Sequence, residues 1–193
     1  MSLPPAAPQR QLKHRRQFDV QVFACGNGLW EVDAVLTDVK TRDTLIADDL
    51  RPAGTPIHDM LLRLVVNEQF DIVAAGSESR WMPYLGICDE HGDVYARLVG
   101  LNLRQDFRKH LRQRVGGALG CTHITELAQV LPTAVVQAFA GEVIDTRGTA
   151  EGARRPFQID RCHALRSSGE AVHLHYPRWY RAETSDPTRP DLF

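Results

Sequence analysis

Two stretches of alternating apolar and polar residues, joined by one dipeptide, constrain this chain more than any other feature. Phe18, Val20 and Val22 alternate with Asp19 and Gln21, while Trp30, Val32, Ala34 and Leu36 alternate with Glu31, Asp33 and Thr37. A period of two describes a strand with one face on a core. Between the stretches lies Asn27-Gly28, whose residues tolerate positive φ and so close a two-residue turn; the segment reads as a β-hairpin. After Pro52, Gly54 and Pro56, the runs Met60 to Val66 and Phe70 to Ala75 flank the polar turn Asn67-Glu68-Gln69 and predict a second hairpin.

The period then changes. Val94, Leu98 and Leu101 recur at helical spacing, as do Phe107, Leu111 and Val115 on a basic segment carrying Arg104, Arg108, Lys109, Arg112 and Arg114. Ile124, Leu127, Leu131, Val135 and Ala138 form an apolar stripe on one long helix that Pro132 is expected to kink. A loop from Gly141 to Pro156 leads to Ile159 to Leu165, the turn Ser167-Ser168-Gly169, and Ala171 to Tyr176, which read as a last hairpin. The expected class is α+β: an antiparallel sheet of N-terminal hairpins packed against two to four helices, with a C-terminal hairpin. The expected organisation is a flexible lead over 1–16, one domain over 17–181 and a flexible tail over 182–193.

With 193 residues, 43% of them hydrophobic, the chain can bury a core without covalent staples. Its net charge of −1, from 23 basic and 24 acidic side chains, argues against a nucleic-acid partner. No export signal is visible and no apolar run reaches the roughly 18 residues needed to cross a bilayer. A cytoplasmic protein without a membrane partner is the expectation, with Cys25, Cys88, Cys121 and Cys162 as free thiols.

Three segments carry candidate chemistry. Gly120-Cys121-Thr122-His123 stands where the long helix should begin, so its thiol would meet unpaired backbone N–H groups; Thr122 is a candidate cap. Pro56-Ile57-His58-Asp59 lies on the expected loop into the third strand, and Gly86-Ile87-Cys88-Asp89 on the connection leaving the sheet. Loops at one end of a sheet can converge with a helix start. His58, Asp59, Cys88 and Cys121, with His123 adjacent, then form a donor set suited to zinc or an iron–sulfur centre. The plain alternative has His58 cap a turn and Asp59 a strand end, gives Cys88 and Cys121 to the core and leaves His123 on the surface. Cys162-His163 with His173 and His175, the latter pair on one face of a predicted strand, form a weaker second set. The basic segment Arg104 to Arg114 fits an acidic protein partner or, more simply, a solvated helix face.

The stretches R-x-G-x-x-x-G-C-T-H-I-T-E-L from Arg114, G-T-P-I-H-D-M-L-L-R-L from Gly54, L-W-E-V-D-A-V-L-T-D from Leu29, D-R-C-H-A-L-R-S-x-G from Asp160 and H-Y-P-R-W-Y from His175 resemble the bacterial domain-of-unknown-function family 2889. The resemblance runs from about Arg16 to Arg181 and implies no activity. The order of hairpin, ligand loop and helix-borne ligand is also similar to the NifU-type iron–sulfur scaffold fold. That likeness maps its ligand positions onto His58-Asp59, Cys88 and Gly120-Cys121 and implies a scaffold-like core with a metal pocket. His58 stands where that family has a cysteine, so the implication extends to a metal pocket and not to scaffold activity.

The leading expectation is therefore a cytosolic metal-binding accessory protein handling zinc or an iron–sulfur cluster. The second is an enzyme of acyl or thioester transfer with Cys121 as its nucleophile, activated by His123 or His58. The third is a non-catalytic interaction module presenting Trp179, Tyr180 and the basic helix.

Overall fold

The hairpins form where the alternation places them. In the computed structural model, which describes residues 3–148 and 154–182, strand β1 (His14–Gly26) pairs antiparallel with β2 (Leu29–Lys40), Phe18 opposite Leu36 and Val20 opposite Ala34. Asn27 and Gly28 adopt φ of 52° and 71°, the left-handed pair that a two-residue hairpin turn requires. A small hairpin of β3 (Thr44–Ile46) and β4 (Asp49–Arg51) follows, then β5 (Pro56–Asn67) and β6 (Ile72–Trp81). The main sheet is an antiparallel meander in the order β1-β2-β5-β6. Asn67 holds the second turn, its side-chain oxygen accepting from the backbone N–H groups of Gln69 and Asp71.

One face of this sheet carries the core of the first of two compact units, Met1–Ala138 and Phe139–Phe193. Val32, Ala34 and Leu36 of β2 lie opposite Leu64, Leu62 and Met60 of β5, and all six are buried. Burying each large aliphatic side chain contributes about 1.5–3 kcal/mol. A 3-10 turn over Val94–Leu98 supplies the buried Tyr95 and Leu98, and α1 (Phe107–Val115) turns Phe107, Leu111 and Val115 inward at the expected spacing. Next, α2 (Thr122–Ala128) lies against β2 and β5, burying Ile124, Leu127 and Ala128.

The expected long helix is two helices, because α2 stops at Ala128 and α3 begins at Leu131 (Leu131–Phe139). Pro132 has no N–H for a bond to residue 128 and its ring crowds that carbonyl, so the proline separates the helices rather than kinking one. The residues His58 and Asp59, expected on a loop, belong to β5, which starts two residues earlier at Pro56.

In the second unit the predicted C-terminal hairpin is absent. His163–Leu165 form a 3-10 turn and Glu170–His175 form α4. Asp160 at φ 63° turns the chain; its carboxylate accepts from the Ser167 backbone N–H at 2.6 Å and hydroxyl at 2.5 Å, and pairs with Arg155. Those local bonds take the backbone away from a ladder, and a short apolar run such as Ala171 to Tyr176 fits a helix as readily as a strand. His173 and His175, two apart on a helix, do not share a face; the His173 ring packs on Tyr180 with centroids 4.5 Å apart. The expected tail over 182–193 lies outside the described residues beyond Ala182. No helix among the described residues is long and apolar enough to cross a membrane.

Candidate metal centre

The inner face of the sheet runs apolar along β2 through Val32, Ala34 and Leu36, and the next position of the same row is Asp38. Only 2% of Asp38 is exposed. The antiparallel register sets Arg16 of β1 on one side of it and His58 of β5 on the other. Because strand side chains alternate, these three share the core-facing side, with His14 and Lys40 as the next pair outward.

Every lone-pair direction of the Asp38 carboxylate is used. Oδ1 accepts from Arg16 Nε and His14 Nε2, both at 2.8 Å; Oδ2 accepts from Arg16 Nη2 at 2.7 Å and His58 Nδ1 at 3.0 Å. The Arg16 contact is a two-pronged ion pair, the strongest form such pairs take. Burial pushes the Asp38 carboxyl up, but Arg16 and the two imidazoles outweigh it and hold the group down to about 2. As an ionised carboxylate only accepts, the His58 hydrogen sits on Nδ1, which fixes the ring tautomer.

The fourth wall is α2. Its start is fixed by Tyr95, whose buried hydroxyl donates to the Cys121 carbonyl at 2.7 Å and lies 3.0 Å from Thr125 Oγ1. Thr125 in turn donates to the Val115 carbonyl at 3.1 Å. Burial raises the Tyr95 phenol to about 12, so it remains a donor. From this anchored turn His123 reaches over the sheet: its ring lies 3.7 Å, centroid to centroid, from that of His58, and its Nε2 is 4.0 Å from Asp38 Oδ2. Three residues on, Glu126 accepts from Arg16 Nη1 at 2.8 Å. Asp38, His58 and His123 each offer one ligand atom, and these atoms lie within 4.8 Å of one another, the one such group among the described residues. Burial is the largest influence on both imidazoles and lowers them; His58 is lowered further by His123, and His123 by Arg16, against the pull of Asp38. Both rings are thus held neutral, the form that binds metals.

Gly120 is required by a close approach and not by its backbone, which at φ −162° is extended. A Cβ there would stand 2.8 Å from the Val115 carbonyl oxygen and 3.1 Å from the Tyr95 hydroxyl. Gly120→Ala is expected to cost about 1–3 kcal/mol in urea unfolding, as overpacked sites do. An unchanged midpoint would show that α1 and Tyr95 yield freely.

A pH dependence follows from the two imidazoles and the carboxylate. His58 and His123 have lowered pKa values in the fold, so below the unfolded value of about 6.5 the unfolded chain takes up protons more readily and stability falls with pH. Asp38 adds a second loss as pH drops from about 4 toward 2. In metal-free protein the urea midpoint should decline from about pH 6.5 downward, and His58→Asn with His123→Asn should flatten the stretch from 6.5 to 5. A wild-type midpoint constant to pH 5 would contradict this.

Of the residues singled out in the sequence, the fold brings together His58 and His123 with Cys121 beside them, its Sγ 3.9 Å from His123 Nδ1. Asp59 is adjacent to His58 in sequence and therefore on the opposite face of β5; its Oδ1 is buried without a hydrogen-bond partner among the described residues. Cys88 is half-buried in a series of turns, its N–H donating to the Tyr84 carbonyl, and is not in the cluster. Thr122 opens α2 without capping it; the N-cap position is Cys121, with no side-chain capping bond. A helix of seven residues also provides less dipole at Cys121 than the long helix expected there. Cys25 and Cys162 are exposed, and all four cysteines are free. Within the basic segment, Arg114 donates to the Val99 carbonyl at 2.9 Å and Arg104 lies over the Phe70 ring.

The residues that sequence reasoning missed are the centre itself, Asp38, with Arg16, His14 and Glu126. The signal was present: one charged residue continues an otherwise apolar alternating row, and a histidine and an arginine two apart open the neighbouring strand.

Sheet, helices and an Asp–His–His–Arg cluster built around one buried carboxylate define an α+β protein with a polar centre at the end of its core. The chain belongs to the family described as protein of unknown function (DUF2889), whose model matches residues 14–137. The match begins at the first residue of β1 and spans every residue of the cluster, while the C-terminal motifs at Asp160 and His175 fall outside it. No curated protein and no solved structure matches the chain.

Proposed function

We propose that this is a metal-binding accessory protein whose centre is Asp38, His58 and His123. The observation that carries the reading is the convergence of one carboxylate and two imidazoles, from two strands and a helix, within 4.8 Å. Zinc suits this set of nitrogen and oxygen donors, with an open position for water or another ligand. Zinc bonds of about 2.0–2.2 Å put tetrahedral ligand atoms about 3.4 Å apart, so the cluster contracts on loading. Arg16 is the obvious competitor for Asp38, but its existing bond to Glu126 keeps a carboxylate against the guanidinium when a cation takes Oδ2.

An iron–sulfur cluster, and with it the NifU-type scaffold reading, draws less support, because such clusters need several thiolates and Cys121 alone stands near the imidazoles. Cys121 acts better as a partner that orients His123 through Nδ1, the role a carboxylate, carbonyl or water fills beside most metal-bound histidines. The test is zinc binding by competition with a chromophoric chelator, together with a thermal shift. Zinc should bind wild-type protein stoichiometrically and raise its melting temperature, and should do neither in His123→Ala. Equal zinc binding by both would remove the assignment.

The line Cys121 Sγ, His123 Nδ1, His123 Nε2, Asp38 Oδ2, with gaps of 3.9 and 4.0 Å, favours a thiol enzyme as the second reading. There the imidazole would take the thiol proton and the carboxylate would hold the resulting cation. Metal-free protein in which iodoacetamide labels Cys121 much faster than the more exposed Cys25 would favour this reading over the first.

A further inference from the structure

A cleft of about 480 Å³ opens beside the cluster, between the inner row of the sheet, the β3–β4 hairpin and the segment after β6. That volume lies within the range of small-molecule sites. Its lining is divided by chemistry. His14, Arg16 and Lys40 stand along one side; Leu45, Ile57 and Tyr84 are the main apolar surfaces of the other. Asp38 is the single acidic residue in the lining, and its charge is matched by Arg16 at 2.7 Å. Lys40 is left over: its ammonium makes no hydrogen bond or ion pair among the described residues, although it faces the cleft. Of the hairpin carboxylates, Asp43 accepts from the Ala53 N–H at 2.9 Å and Asp49 pairs with Arg51 at 3.1 Å.

Ile57 is buried, but the other two apolar side chains are exposed to a degree that a core does not explain. Leu45 is 69% exposed and Tyr84 52%, each presented at the rim by a short element. A cleft that combines one uncompensated cation with an apolar wall fits a ligand with the same division. We infer that the cleft binds a small amphipathic carboxylate, its head group at Lys40 and its aliphatic or aromatic tail along Leu45, Ile57 and Tyr84. A head group there adds the counter-charge that Lys40 lacks, and the tail removes apolar surface from water. The site shares the wall of His14, Arg16 and Asp38 with the proposed metal centre but does not depend on an ion, since Lys40 and the apolar wall are the determinants.

The test uses the full chain in EDTA and calorimetric titration with octanoate, octanol and octylamine below their aggregation concentrations, beside acetate. Octanoate is expected to bind at one site, at least tenfold tighter than the other three. Lys40→Glu should weaken octanoate at least tenfold, and Leu45→Asp should weaken it comparably. Neither side chain is part of the core, and an unchanged melting curve confirms the fold of each variant. Similar affinity for octanol and octanoate would mean an apolar groove without head-group recognition and would overturn the inference, as would no octanoate binding or an undiminished Lys40→Glu variant. Because zinc binding is read separately through His123→Ala, either assignment can fail while the other stands.

Discussion

Asp38→Ala should destabilise the protein by about 3 kcal/mol, a shift of roughly 10 °C in melting temperature for a chain of this size. Removing the carboxylate strips four hydrogen bonds from one position and leaves the Arg16 guanidinium facing two imidazoles at the end of an apolar row. Breaking a buried ion pair by deleting one member commonly costs 3–5 kcal/mol, because the remaining charge is left unpaired. Here the cost falls at the lower end, since Arg16 is about a third exposed and keeps Glu126. Asp38→Asn retains the shape and one acceptor oxygen, so it should cost less than the alanine variant. Urea unfolding at pH 7.5 reads both. A loss under 1 kcal/mol in Asp38→Ala would mean that the network is a surface arrangement.

Removing one imidazole should abolish zinc binding under conditions where the wild type is saturated, a fall of about 100-fold or more in affinity. His123→Ala is the cleaner variant, because His123 Nε2 stands 4.0 Å from Asp38, beyond hydrogen-bond distance, whereas His58 is bonded to it at 3.0 Å. His58→Ala should therefore lose both zinc and stability, while His123→Ala loses zinc with a smaller stability change. Cys121→Ala should weaken zinc tenfold or so and leave it measurable, since the thiol orients His123 without being a ligand. Complete loss in Cys121→Ala would move the thiol into the coordination sphere; zinc retained by His123→Ala would remove the centre.

Both experiments act on positions that differ in how visible they are in sequence. His58 and His123 stand out as ligand types in distinctive contexts, and the other candidates Asp59 and Cys88 stand out equally. What separates them is which face of β5 a residue occupies and where the turns after β6 lead. Period two places Asp59 on the far face once the strand is known to begin at Pro56, and a strand boundary is the kind of detail that local pattern leaves loose. His14 and Arg16 look like a solvated basic lead because they stand in the run Lys13-His14-Arg15-Arg16; their partner Asp38 lies 24 and 22 residues away and meets them through strand pairing.

The residues by themselves determined the two N-terminal hairpins, since alternation and a positive-φ turn are local properties, and the apolar face of α1, since its spacing is set by one helix. They also determined the family, whose matched region is dense in those local patterns. Pattern by itself left the apolar run near the C-terminus open, because helix and strand both fit six residues, and tertiary structure makes it α4. Tertiary structure alone decided the candidate centre. A carboxylate becomes a ligand or an ion-pair hub through what the register and the packed helix set against it, and register is a relation between segments that neither segment carries on its own.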